Sequence, residues 1–565
     1  MTEREEQVVK FWSKQIELGK RYREQCLPEQ KVKKWYEWYR GDVKGGGLNR
    51  IYSFGRSMIP RVYFRNPGIA VVPRKPEYAA TAAIVEAVDN WLIDEIGLKG
   101  TLKRACIHAY LAGVGPIKLG YDSEFGFVPD LAVLPDSESP TQVHKDDVER
   151  RIEYRVGVKP GMPWAIDVHP LDIIVPWGAT TFDNIPWIAH LVVRSLSDVK
   201  ADAKYRNTEE LKGGVKPDLM KYFPTMDLRV PEDHVLLVEI RDLKHQRVIV
   251  LCENRVLLDE EDVLQVEGLP YEFVVFNLDV ERCWGIPDAK MIESEQEELV
   301  EIKEQIRKHR KLSLLKFLVQ KGAMSRENIE KLLDEEGPTV LEVEAPPRTV
   351  LETLSAHVPP DLYRELMEIM ADMRETIGFS RNQAGEFVAP VTPRTATEVM
   401  AVREAMEIRS DERRDILADV FTRIVRKLNQ FIFKFWTTER VARVVGPEGK
   451  EYWVKFTGEE LAGEYDFAVY PEQAYPISRV TRFQQALQLM QMFRGDPLID
   501  QEGLRKLVLE QVVWADPRVR KLLVRPAPPG MVPGVPLPPV MGIEEAEKRG
   551  VKPTSLEELA GLFAE

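Results

Sequence analysis

Residues 395–438 read TATEVMAVREAMEIRSDERRDILADVFTRIVRKLNQFIFKFWTT, a run without proline or glycine. Its first four residues have the form of a capping box. The Thr395 hydroxyl can accept the Glu398 amide, and the Glu398 carboxylate can reach back to the Thr395 amide. With no breaker inside it, the run predicts one helix of about 42 residues, roughly 63 Å long. In its second half Leu417, Val420, Ile424, Leu428, Phe431 and Phe435 recur at helical spacing and draw one apolar stripe. A helix of this length in a mixed chain spans domains or lines an assembly axis.

Upstream, residues 288–320 also lack proline and glycine and predict a single helix, ended by Lys321-Gly322. A compact segment follows: a short helix at 326–335, a strand TVLEVEA at 339–345 and a Pro346-Pro347 exit. Another helix is expected at 360–377. Next comes GFSRNQAGEFVAPVTPR (378–394), too polar and too broken for regular structure. The 288–320 helix begins acidic, with Asp288, Glu293, Glu295, Glu297, Glu298 and Glu301, and turns basic at Arg307, Lys308, Arg310 and Lys311. That gradient complements the helix dipole and allows pairs three or four apart, such as Glu304 with Lys308. It would also make a basic ring if several copies stood about an axis. Both readings stand.

The rest of the chain alternates in character. Residues 5–40 read as helical, Ile69–Val72 as a short strand, and 78–96 and 101–112 as helices. From about 116 to 280 short alternating runs such as RIEYRVGV, PWIAHLVVRS and VLLVEIRDL are separated by turn residues, the pattern of a hairpin-built sheet. Strand character returns at 452–470, followed by helices at 478–493 and 500–514. Seven prolines between Pro526 and Pro539 make an extended linker. The tail Glu544–Glu565 is either a peripheral helix or a docking segment. The class is α+β.

Composition narrows the function. At 565 residues, three to four domain-sized units are expected. A net charge of −13 is unsuited to static DNA gripping, which needs Lys and Arg that release counterions, but it suits a surface past which DNA slides. No run approaches the ~20 apolar residues that span a bilayer, so no membrane role is expected. The start MTEREEQVVKFWSKQ is acidic and unlike a signal peptide, which points to a protein made and kept inside a cell. Cys26, Cys106, Cys252 and Cys283 form no CxxC pair and read as isolated thiols.

Catalytic signatures are missing. HExxH and GxSxG do not occur. GPEGKE at 446–451 lacks the spacing and the Ser/Thr of a phosphate loop, and Gly45–Gly47, which follow Lys44, lack the spacing and read as a flexible turn. The eight histidines are scattered, and Asp334-Glu335-Glu336 reads as a solvated face. No catalytic residue, metal site or cofactor is assigned.

Taken in order, these landmarks resemble tailed-bacteriophage portal proteins, over roughly residues 45 to 515. IYSFGRSMIPRVYFRNP is similar to the segment before the portal wing, and HPLDIIVPWGATTFDNIPWIAHLVVRS to a wing stretch. WGIPDAKMIESEQEELVEIKEQIRKHR resembles the descending stem helix, and TPRTATEVMAVREA the capped start of the family's long helix. YDFAVYPEQAYPISRVTRFQQALQLMQMF resembles the strand that rejoins the wing and leads to the crown.

The resemblance implies a multidomain portal fold with a mixed α/β wing, a helical stem, a small α/β clip and a helical crown. It divides the chain into an N-terminal and wing region (1–286), descending stem helix (287–320), clip (321–357), ascending stem helix (358–380), tunnel loop (381–394), long wing helix with returning strands (395–477), crown (478–525) and Pro-rich linker with tail (526–565). DNA-channel positions would be Arg381, Asn382, Gln383, Glu386, Phe387, Val388 and Arg394. The apolar tip Phe387-Val388 would press on DNA or pack on a neighbouring loop. Arg307, Lys308, Arg310 and Lys311 would be the stem's basic positions.

Implied partners are further copies in a ring, typically twelve, and double-stranded DNA without sequence specificity. The large terminase motor, major capsid and scaffolding proteins and a head–tail adaptor complete the set. The ring would sit at the virion's portal vertex after assembly in the host cytoplasm. Twelve copies of 64.9 kDa come to about 780 kDa. The long helix carries more apolar surface than one subunit is expected to bury, so neighbours are expected to cover it. A different head–tail connector or oligomeric virion protein is the alternative, and it would lack the stem–clip–stem order.

Overall fold

The computed structural model describes residues 3–43, 48–62, 68–121, 161–202, 204–213, 234–252, 255–312, 316–319, 351–354, 360–378, 396–445, 451–470, 540–542, 546 and 554–555. Helices α1 (Glu3–Cys26) and α2 (Glu29–Arg40) replace the single helix expected at 5–40. Pro28 precedes α2 with extended backbone, because proline cannot supply an interior helical amide. Next come α3 (Arg50–Val62), β1 (Gly68–Pro73), α4 (Ala79–Glu95) and α5 (Leu98–Ala112).

The strand-rich middle holds β2 (Gly115–Tyr121), β3 (Pro163–Asp167), β4 (Ile173–Ile174), β5 (Trp187–Ser195), the short α6 (Leu196–Ala201), β6 (His234–Asp242), β7 (Arg247–Cys252), β8 (Arg255–Glu261) and β9 (Tyr271–Val274). Strands β4 to β8 form a five-stranded antiparallel meander in chain order, and β3-β2-β9 form a second antiparallel sheet. Lys118 of β2 joins the two sheets: its ammonium sits 2.7 and 2.8 Å from the two Glu239 carboxylate oxygens of β6.

The helix expected at 288–320 is shorter and broken. Its described parts are α7 (Asp288–Met291), α8 (Glu293–Leu312) and then β10 (Lys316–Val319), a strand that pairs antiparallel with β11 (Leu351–Leu354). The apolar run KFLV satisfies its backbone through a partner strand rather than by extending the helix. The short helix expected at 326–335 and the strand at 339–345 lie outside the described residues, as do RIEYRVGV and the helices at 478–493 and 500–514.

Helix α9 (Pro360–Ile377) lies at the expected place, and α10 (Ala396–Phe435) runs for 40 residues. Thr395, the proposed cap, is outside the described residues. Strands β12 (Arg440–Val445), β13 (Glu451–Phe456), β14 (Tyr465–Tyr470) and β15 (Val540–Gly542) complete the chain. Strand β14 returns to pair with β1, Gly68 opposite Tyr470.

The stripe on the second half of α10 is covered within the chain. Leu417, Val420, Ile424, Leu428 and Phe431 are at most 1% exposed within this single chain, packed among α3, β2, β9 and β14. Apolar burial of about 1.5–3 kcal/mol per such side chain holds this half of the helix without a neighbour.

Of the tail Glu544–Glu565 the described residues are Ala546, which is helical, and Thr554-Ser555. Residues after the proline-rich stretch dock: β15 pairs with one edge of β12, while Thr554 bridges the free edge of β13 at Val454. Val540, Ala442, Val454 and Thr554 form one row across, so a single segment closes both edges of the β12–β13 hairpin.

Candidate functional site: the stem helices and their anchor

Helix α8 presents Leu299, Ile302 and Ile306 on one face, and α9 presents Leu366, Ile369, Met370, Met373 and Ile377, all buried. These sets follow helical spacing, and the two helices pack together through them. Strands β10 and β11 pair the chain leaving α8 with the chain entering α9. The unit is therefore helix, ladder strand, an intervening stretch of residues 320–350, ladder strand, helix. Tyr363 and Met367, one turn apart on α9, remain about half exposed, at 51% and 53%.

The charge gradient on α8 is divided between partners. At its start, Lys34 of α2 lies 2.9 Å from Glu293 and also pairs with Glu297, while Lys31 lies 3.3 Å from the other Glu293 oxygen. Burial works against ionised Glu293, but the Lys34 and Lys31 hydrogen bonds outweigh it and lower its pKa. At the far end Arg307, Lys308, Arg310 and Lys311 are all exposed. The acidic half is thus used for docking on α2, and the basic half faces outward.

Three contacts anchor the base of this unit. Arg413 of α10 grips Asp288, the first residue of α7, through Nη2–Oδ1 at 2.7 Å and Nη1–Oδ2 at 3.2 Å. Both side chains are buried, and the guanidinium lies over Phe276 at 5.2 Å and also touches Met58 Sδ. Gln296 of α8, fully buried, accepts the Arg50 amide and donates to the Leu48 carbonyl, both at 2.9 Å. Just before Pro287, Gly285 and Gly113 cross so closely that a Cβ on Gly113 would stand 2.2 Å from the Gly285 carbonyl oxygen. Gly113 also has φ +80°, so glycine is required there on two counts.

One constellation elsewhere has the residue types of a catalytic relay. The Tyr36 hydroxyl lies 2.6 Å from His108 Nδ1, His108 Nε2 lies 3.6 Å from Asp167, and Arg104 lies 2.6 Å from the same carboxylate. Burial, reinforced by Asp172 and Asp167, pushes the Tyr36 hydroxyl well above its ordinary pKa, so it stays a protonated donor. The chain of contacts ties α2 to α5 and β3. His169 is buried beside it, and its Nδ1 accepts the Leu171 amide at 3.2 Å.

A groove of 720 Å³ runs between α10 and β9, with Leu278 and Val280 exposed along its wall. Two of the basic side chains there, Arg423 and Lys427, hold Glu272 at 2.8 and 2.7 Å. Among the described residues, no three His, Cys, Asp or Glu side chains gather as a metal site, and no helix is long and apolar enough to cross a membrane.

The model of the phage P22-like portal protein family matches residues 315–532. Over those 218 of its 565 residues the chain is similar to phage portal proteins. The portal segment begins just beyond α8 and takes in β10, β11, α9, α10 and β12 to β14. A comparison with curated proteins finds no match. The channel positions expected at Arg381, Asn382, Gln383, Glu386, Phe387, Val388 and Arg394 lie within the portal segment but outside the described residues, between α9 and α10. The four basic positions on α8 lie just before the segment and come together at one end of the helix. Sequence reading missed the Arg413–Asp288 pair and Gln296, because neither stands out among 91 acidic and 78 basic residues. It also missed the tail's second contact at Thr554.

Proposed function

We propose that the chain is the subunit of a ring-shaped channel at one vertex of a tailed-phage capsid, through which double-stranded DNA enters, is retained and leaves. The observation that carries this reading is the pair α8 and α9 joined by the β10–β11 ladder, next to and within a segment that matches the portal family. In this reading α8 and α9 are the stem, residues 321–357 the clip, 381–394 the tunnel loop, 395–477 the long helix with its returning strands, and 478–525 the crown. The clip meets the large terminase during packaging and a head–tail adaptor afterwards. Capsid and scaffolding proteins surround the ring, which has twelve copies.

The electrostatics support passage rather than capture. A net charge of −13 opposes tight DNA binding, while the outward basic end of α8 gives each subunit a small cationic patch. The ring performs no chemistry of its own, and ATP hydrolysis lies with the motor. Capsids assembled with and without this chain test the proposal in a DNA-packaging assay: uptake should depend on the chain, and equal uptake without it would refute the role.

A further inference from the structure

Asp89 of α4 and Asn429 of α10 meet in the interior, 1% and 2% exposed. Asn429 Nδ2 donates to Asp89 Oδ2 at 2.8 Å. This bond leaves Asp89 Oδ1 and Asn429 Oδ1 both enclosed and both without a hydrogen-bond partner. Native interiors keep only a few such orphans per hundred residues, and here two fall on the same pair of planar groups. Both oxygens are acceptors, so an ionised carboxylate cannot repair the defect. One proton on Asp89 Oδ1 turns that oxygen into a donor.

We infer that Asp89 is held as the neutral acid and forms a cyclic acid–amide pair with Asn429, a protonation-dependent latch between α4 and the long helix. Its two bonds run from Asn429 Nδ2–H to Asp89 Oδ2 and from Asp89 Oδ1–H to Asn429 Oδ1. The surroundings favour the neutral form. Burial pushes the Asp89 carboxyl well above the usual range, the Asn429 bond pulls it part of the way back, and the Glu86 charge adds repulsion. Among the described residues, Glu86 on α4 is the charged group that acts on Asp89. Glu86 is fixed by the Val71 amide at 3.0 Å. Strand β1 carries no titratable side chain, and Arg443 of β12 is exposed, lining a surface groove with Glu86.

The sign of the pH effect follows. Unfolded, Asp89 ionises near pH ~3.9; folded, it keeps its proton to a much higher pH. Between those limits the folded chain holds one extra proton. The latch's contribution is therefore full below the unfolded value and falls as pH rises, by up to about tenfold in the unfolding constant per pH unit.

Infrared spectra of the full-length protein test the latch directly. At about pH 8 the wild type should show a protonated-carboxyl C=O band that is lost in Asp89→Asn. That variant can form an amide–amide pair of the same shape, so its unfolding temperature should vary less with pH than the wild type's. Identical spectra and superimposed pH profiles would overturn the inference. If Asp89→Asn fails to fold, wild type labelled with ¹³C at its aspartate carboxyls decides: a protonated aspartate signal at about pH 8 supports the latch, and its absence overturns it.

Discussion

Arg413 and Asp288, 125 residues apart, form a buried two-bond ion pair at 2.7 and 3.2 Å that ties the long helix to the residue that starts α7 and leads into α8. Asp288 follows Pro287, whose extended backbone delivers the chain to the helix start. The pair fixes where α8 departs from the sheets, so the direction of the proposed stem is set by a contact to α10.

Breaking one side of that pair strands the other charge in the interior. Arg413→Met or Asp288→Leu alone should cost about 3–5 kcal/mol, whereas the two changes together should cost less than either single change. A double-mutant cycle on thermal unfolding checks this, and additive losses would contradict it.

Removing residues 526–565 should expose both edges of the β12–β13 hairpin, now covered at Val540–Gly542 and Thr554. The expected outcome is a lower unfolding temperature and concentration-dependent aggregation, read by light scattering. Unchanged unfolding and a clear solution would mean that the tail contributes nothing to the hairpin.

His169 should make the fold acid-sensitive. Burial, then the nearby charges of His108, Arg23 and Arg40, hold its pKa well below the ordinary value. The unfolded chain therefore binds a proton first, and stability falls as pH drops through ~6.5, by up to about 1.4 kcal/mol per unit. His169→Asn keeps an acceptor for the Leu171 amide, and its unfolding temperature should fall less steeply between about pH 6.5 and 5. An unchanged slope would assign the acid limb to other groups.

Neutralising Arg307, Lys308, Arg310 and Lys311 to Gln, or deleting residues 383–390, should leave ring assembly intact and impair packaging or retention. The four Gln changes lie at exposed positions, so stability should move by no more than about 0.5 kcal/mol. Wild-type packaging and retention in the deletion variant would show that the loop has been assigned the wrong role.

Much of the helical framework was legible because breakers and apolar spacing speak locally. The run from 395 to 438 gave α10 almost to the residue, since nothing inside it competes with a helix. The 288–320 run misled for the same reason: without proline or glycine, LKFLV reads as helix, and only its pairing with Leu351–Leu354 makes a strand of Lys316–Val319. Burial of the α10 stripe within one chain was equally out of reach, because Leu417 and Phe421 are covered by elements far away in sequence. The anchor was hidden because Asp288 and Gln296 look like ordinary polar residues at a helix start. Their importance lies in Arg413, Leu48 and Arg50, which the fold brings to them.

Electron microscopy of the purified full-length protein tests the central claim most directly. Class averages should show a closed ring of about twelve subunits, near 780 kDa from 64.9 kDa chains, with a central hole that admits a DNA duplex. A monomer, or an assembly without a continuous central channel, would contradict it.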